Sequence, residues 1–138
     1  TLGVLVDFHT RHKLLILSHS PEIYRQMGQL VAGQLGLETN ETYTQYMALL
    51  MKGLRMRTTT RKHVNVLQHV LGYFKKQLDA DEKQEVLQII ADYRAGLLPL
   101  IVPVTLLNHF VRKYDQPYLR QQVYLNPHPL ELQLRNHV

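Results

Sequence analysis

Apolar residues recur along this chain at intervals of three and four, the period of an α-helix buried on one side, and nowhere alternate for long enough to make a sheet. The first such stretch covers Leu2 to Leu17 and breaks at Ser18 to Ser20. Ser20 is a good N-cap, Pro21 suits a first helical position and Glu22 suits the positive helix end, which predicts a second helix to about Gln34, stopped by Gly36. Asn40 is expected to cap a third helix, to about Leu54, with Tyr43, Tyr46, Met47, Leu50 and Leu54 as its apolar positions. Thr58 to Thr60 supply the cap of a fourth, Arg61 to Leu78, whose Val64, Leu67, Leu71, Phe74 and Leu78 form one stripe. Asp79 and Glu82 spell a capping box for a fifth helix that ends at Gly96, with Val86, Leu87, Ile89, Ile90 and Tyr93 facing inward. Pro99 opens a sixth helix, to about Tyr114, with Pro103 still in its first turn, and Pro117 opens a short seventh. The tail, Tyr124 to Val138, contains Asn126-Pro127-His128-Pro129 and is expected to lie extended over the body. The pattern predicts an all-α, single-domain helical bundle of six or seven helices with an extended C-terminal tail, spanning residues 1–138.

Length and composition bound what such a bundle can do. A chain of 138 residues, 45% of them hydrophobic, can hold a core without covalent staples. It begins mid-pattern at Thr1-Leu2-Gly3 without an initiator Met, and reads as a piece of a longer chain. The absence of cysteine excludes disulfides, thiolate nucleophiles, zinc fingers and iron–sulfur ligation by these residues, and fits a cytoplasmic setting. The most apolar run, Leu97 to Leu107, is interrupted by Pro99 and Pro103 and is too short to cross a bilayer, so no membrane partner is expected.

Charge changes the picture more. The formal net charge is +5, and it is unevenly placed. Thr42 to Leu78 contains no Asp or Glu but seven bases: Lys52, Arg55, Arg57, Arg61, Lys62, Lys75 and Lys76. Asp79 to Asp92 reverses the balance, with five acids against Lys83. One face is therefore expected to be positive, and such a face attracts phosphates.

The fourth helix carries a second stripe. Lys62, Asn65, His69, Tyr73 and Lys76 fall at steps of three or four, flanked by Arg61 and Gln68 and followed by Lys75. Cations at the ends would neutralise phosphates, amide and imidazole groups would bond sugar or base, and the tyrosine offers a stacking surface. An ordinary exposed helix face would mix acids in, and this one has none. His9, His12 and Lys13 on the first helix, and Asn108, His109 and Arg112 near the end of the sixth, could extend the surface if these helices adjoin. The two cations Arg112 and Lys113 are also favoured simply by the helix C-terminus.

Catalytic templates are missing. Eight histidines are present, but no His-Glu-x-x-His pair marks a metal site. Asp7 with His9 and His12 is the one local grouping of acid and imidazole that could serve hydrolytic or metal chemistry. There is no phosphate-cradling glycine loop, no nucleophile elbow and no dinucleotide fingerprint, so no catalytic or metal-binding residue is assigned.

Four strings, read together, carry a family resemblance: Phe8 to Leu15, Asn65 to Lys76, Pro99 to His109, and the Tyr-Leu-x-x-Gln-x-Tyr-Leu-Asn-Pro-His-Pro run from Tyr118 to Pro129. The sequence resembles the YbgA-like bacterial family over essentially its whole length. The resemblance implies a domain found alone or fused behind a TudS-type desulfidase domain, which removes sulfur from thiouracil or 4-thiouridine with an iron–sulfur cluster. That cluster would belong to the partner domain, so no cofactor is expected here. In the fused form this part is the expected holder of transfer RNA. The expectation is thus an RNA-binding accessory module. The alternatives are a protein-docking or dimerisation module, and a small histidine- or metal-dependent hydrolase.

Overall fold

In a computed structural model, which describes residues 1–127, 129 and 130, capping side chains set several of the helix boundaries. The elements are α1 (Leu2–His19), α2 (Pro21–Val31), α3 (Thr39–Arg55), α4 (Thr60–Gly72), α5 (Ala80–Arg94), α6 (Ile101–Lys113), the single turn α7 (Pro117–Arg120) and a 3₁₀ turn, Val123–Leu125. Ser20 Oγ accepts the Ile23 N–H at 3.1 Å and starts α2, with Ser20 alone between it and α1. Thr59 Oγ1 accepts the Lys62 N–H at 3.1 Å and starts α4. The capping box of α5 is complete: the Glu82 N–H donates to Asp79 Oδ1 at 2.8 Å and the Asp79 N–H to Glu82 Oε1 at 3.1 Å.

Several helix boundaries differ from those the sequence predicts: α1 runs on to His19 and α6 starts at Ile101, two residues after Pro99. α2 stops at Val31, because Gly33 already takes a left-handed conformation (φ +77°), as does Gly36 after it. α3 begins with Glu38 at the N-cap, so Asn40 lies inside its first turn. α4 ends at Gly72, and Tyr73 to Gln77 continue as turns, which puts Tyr73, Lys75 and Lys76 past its end. In the tail, Tyr124 and Leu125 are buried in the 3₁₀ turn and Pro129 and Leu130 are helical. His128 and the stretch 131–138 lie outside the described residues, as does the extended course expected for them.

Two apolar clusters share α1. Leu14 and Leu17 pack in a larger one with α4, α5, α6 and the tail, centred on Leu67, Val70, Phe74 and Leu107. Leu5 and Ile16 pack in a smaller one with Ile23, Met27 and Leu30 of α2 and Tyr46 of α3. α3 turns Thr42, Tyr46 and Gly53 inward, so Met47 and Leu54 face outward, contrary to the expected stripe. A Cβ on Gly53 would stand 2.9 Å from Ile23 Cγ2, so this glycine lets α3 close on α2. Leu87 of α5 is likewise exposed.

The tail buttresses α1. Gln122, fully buried, accepts the Leu14 N–H with its carbonyl at 3.2 Å and donates its amide to Thr10 O at 2.6 Å. His63 Nδ1 and the Tyr124 hydroxyl meet at 2.6 Å in the larger core. Asn126 Nδ2 donates to Arg120 O and Gln122 O, both at 3.0 Å. The run of Gln122, Tyr124 and Asn126 therefore has a structural explanation: each satisfies buried or turn backbone groups, or a buried imidazole.

Candidate nucleic-acid interface

α4 is held against α1 by its first turn. Lys62 Nζ donates to His19 O, the last residue of α1, and to Arg57 O, each at 2.7 Å. A cation at a helix C-terminus is favourable, and these bonds engage two of the three ammonium protons. Lys62 is thus part hinge pin, part surface cation. Beside it, Arg61 and Gln68 are exposed and Asn65 is half-buried. These three and Lys62 line a groove of about 460 Å³, and Arg94, the last residue of α5, closes its far side. Gln68 also lines a smaller opening of about 210 Å³ with Lys75 and Lys83. The two openings meet at Gln68 and make one ridge-and-groove surface, from Arg61 to the turn after α4. Lys75 lines it, and His69, Tyr73 and Lys76 are exposed on the last turn of α4 and the turn that follows.

Tyr73 is 45% exposed, with its ring stacked on Tyr118 at 5.0 Å between centroids. The Tyr73 carbonyl accepts Gln116 Nε2 at 3.1 Å, which fixes the turn that presents the ring. Burial, and then the neighbouring Tyr73, push the Tyr118 hydroxyl well above its ordinary value, so it stays neutral beneath the exposed ring.

Four carboxylates are engaged elsewhere. Among the described residues the ion pairs are Arg11–Asp7, Arg25–Glu22, Lys113–Glu82 and Arg120–Asp115. None involves a base between Thr42 and Leu78. Glu82 is the most committed acid: it accepts Lys113 Nζ at 2.8 Å and the Tyr114 hydroxyl at 2.5 Å besides its cap bond. Those bonds, Lys113 first, lower its carboxyl to about 2.

The first-helix candidates do not join the ridge as a unit. His9 is 2% exposed, and its Nδ1 meets the Tyr46 hydroxyl at 3.1 Å, so it belongs to the core between α1 and α3. Burial chiefly, with Lys13 and His12, lowers its imidazole to about 4. His12 stacks on Phe8 at 3.9 Å, and its Nδ1–H donates to Phe8 O at 2.6 Å; Lys13 is half-buried. Asp7 turns to Arg11 at 3.1 Å, so the Asp7/His9/His12 grouping does not converge. Among the described residues no group of three or more His, Asp or Glu could hold a metal ion. Asn108 is a structural residue, because its amide donates to Leu125 O at 2.7 Å. His109 is exposed, but it lines a separate, mostly apolar opening with Ile89 and Leu106, between α5 and α6. Arg112 is exposed on the same helix.

Sequence reasoning passed over three groups. Arg94 and Lys83 reach the surface from α5, which no periodicity on α4 could reveal. His19 donates from Nδ1 to Met56 O at 2.8 Å and shares an opening with Arg55 and Arg57. The acid-free stretch already contained Arg55 and Arg57, and that was the signal available for this end of the surface.

The family model described as "Protein of unknown function (DUF1722)" matches residues 13–129. The chain is also similar to "Uncharacterized protein YbgA" of Escherichia coli (strain K12), at 35% identity over 137 residues, covering 99% of this chain and 81% of the relative. No solved structure matches it. Among the described residues no helix is long and apolar enough to cross a membrane.

Proposed function

The chain belongs to the DUF1722, or YbgA-like, family, and we propose that it is an RNA-binding accessory module, acting in the cytoplasm on transfer RNA for a 4-thiouridine or thiouracil desulfidase activity carried by another domain. The observation that carries the RNA reading is the ridge from Arg61 to Lys76. Its cations are exposed or half-exposed, and no carboxylate among the described residues pairs with them. Uncompensated cations gain most from phosphate, because each contact releases counterions condensed on the nucleic acid. Asn65, Gln68 and His69 stand between the charges and supply directional donors and acceptors for sugar and base. Tyr73, backed by Tyr118, offers a fixed aromatic platform to an unstacked base. The desulfidase partnership and the choice of transfer RNA are supported by the family resemblance. The iron–sulfur cluster such an activity needs would sit in the partner, since this chain offers no thiolate.

Fluorescence-anisotropy titration of the chain with total transfer RNA, against duplex DNA of similar length, at two ionic strengths fourfold apart, tests the reading. Transfer RNA is expected to bind more tightly than the duplex and to lose about two decades of affinity at the higher salt. Equal binding of both, or none of either, would overturn it.

A further inference from the structure

We infer that the outward face of α3 pairs with the same face of a second copy of this chain, antiparallel, about a twofold axis near Ala48. Asn40, Thr44, Met47, Met51 and Leu54 lie four, three, four and three residues apart, the spacing of a coiled-coil seam. All five are exposed, with Met47 at 51%, Met51 at 50% and Leu54 at 40%. They lie opposite the inward face of Thr42, Tyr46 and Gly53, so the bundle leaves this stripe uncovered. Isolated exposed hydrophobics are ordinary, but three in register along one helix form a stripe suited to another helix.

Charge selects the occupant and the direction. The N-terminal end of α3 is acidic, with Glu38 at the cap and Glu41 in the first turn; the C-terminal end is basic, with Lys52 and Arg55 in the last turn. Glu41 and Arg55 are exposed, and neither has an ion-pair partner within the described chain. A parallel pairing would set like charges side by side. An antiparallel pairing about Ala48 brings Glu41 of each copy beside Arg55 of the other, twice over, and also opposes the helix dipoles. Ala48, small and exposed, flanks the seam in line with Glu41 and Arg55, seven residues from each, so the two copies' Ala48 face each other across the axis, with Met47 of each copy packing near Met51 of its mate. The stripe is therefore complementary to itself in shape and sign.

α3 has 17 residues, so the seam is about 25 Å long and falls short of the roughly 800 Å² per partner of a standard interface. Association is accordingly expected in the micromolar range. Sedimentation velocity of the whole chain without RNA, from low micromolar to high micromolar concentration, should show a reversible monomer–dimer equilibrium. Arg55→Glu alone, or Glu41→Arg alone, should weaken it at least tenfold, and Glu41→Arg combined with Arg55→Glu should restore it. The positions are exposed, and circular dichroism checks that each variant keeps its helix content. The chain has no cysteine, so Ala48→Cys reports the axis directly: it should form a disulfide-linked dimer under mild oxidation, whereas Gln45→Cys, turned to the side of the seam, should not. A wild-type chain that stays monomeric throughout, a double reversal that fails to restore association, or equal cross-linking of the two cysteine variants overturns the inference. None of these readouts depends on RNA, so their failure leaves the RNA reading untouched.

Discussion

Replacing Lys75 and Lys76 together with alanine is the sharpest perturbation of the proposed RNA surface. Both side chains are exposed on the turn after α4 and make no hydrogen bond or ion pair within the described chain, so their removal leaves the fold intact. Five cations of the ridge are uncommitted in this sense, Arg61, Lys75, Lys76, Lys83 and Arg94, and four of them in contact at once is the working case. Four phosphate contacts correspond to a slope of log K against log salt of about −3 to −3.5. Deleting two should reduce the slope by about 1.5 and the affinity at 0.1 M salt by about 30-fold, with the loss shrinking as salt rises. Lys62 is a poor choice for the same test. Its ammonium bonds His19 O and Arg57 O, so Lys62→Ala also unpins α4 from α1, at a stability cost of about 1–2 kcal/mol. Arg120→Ala is the control, because that guanidinium is already paired with Asp115 at 2.9 Å and should contribute nothing to the slope. The assay is transfer RNA titration at four salt concentrations, with melting curves for each variant. An unchanged slope in the lysine double variant, at an unchanged melting temperature, would remove the ridge from the interface.

Two further outcomes follow from buried polar groups. The folded state holds His9 neutral, with its imidazole lowered to about 4, so stability is complete above the ordinary histidine value of about 6.5 and drains as pH falls towards 4. Denaturant unfolding at pH 7 and pH 4.5 should show about 2–3 kcal/mol less contribution from this residue at the lower pH, a difference that His9→Gln abolishes. Gln122→Ala orphans the Leu14 N–H and the Thr10 carbonyl and opens a void against α1, which should lower stability by about 2–4 kcal/mol in urea unfolding, with RNA affinity at saturating folded protein unchanged.

The helices were legible where a side chain caps. Ser20, Thr59 and the Asp79–Glu82 box announced three starts correctly, because those signals act over three residues and need no tertiary partner. The face of α3 was not legible. Its close approach to α2 runs through Gly53, a residue with no apolar signal, and the periodicity instead drew attention to Met47 and Leu54, which the fold leaves outside. The same limit governs the site. Spacing placed Lys62, Asn65 and His69 on α4, but Tyr73 and Lys76 of the same expected stripe fall past its end, burial of His9 depends on Tyr46, 37 residues away, and the role of Asn108 depends on a carbonyl of the tail. Arg94 and Lys83 join the ridge from a neighbouring helix for the same reason: adjacency between elements is written in packing, not in local period.

Four acids are held in ion pairs away from the ridge. Asp7 and Glu22 pair one turn along their own helices, Asp115 pairs with the nearby Arg120, and Glu82 ties the start of α5 to the end of α6. Each carboxylate thereby neutralises a cation outside Thr42 to Leu78, and the cations inside that stretch are left outside these pairs. Arg61 and Gly72, the last residue of α4, are 11 residues apart, roughly 16 Å along the helix, and the Debye length in physiological salt is about 8 Å, so the cations at the two ends of α4 act largely as separate contacts. Such a strip matches several successive phosphates but carries little sequence information, because phosphates are the same everywhere. Discrimination among RNAs would have to come from the few directional groups at its centre, Asn65, Gln68, His69 and the Tyr73 platform, and from whatever partner acts on the bound strand. A surface of this kind supplies affinity and position.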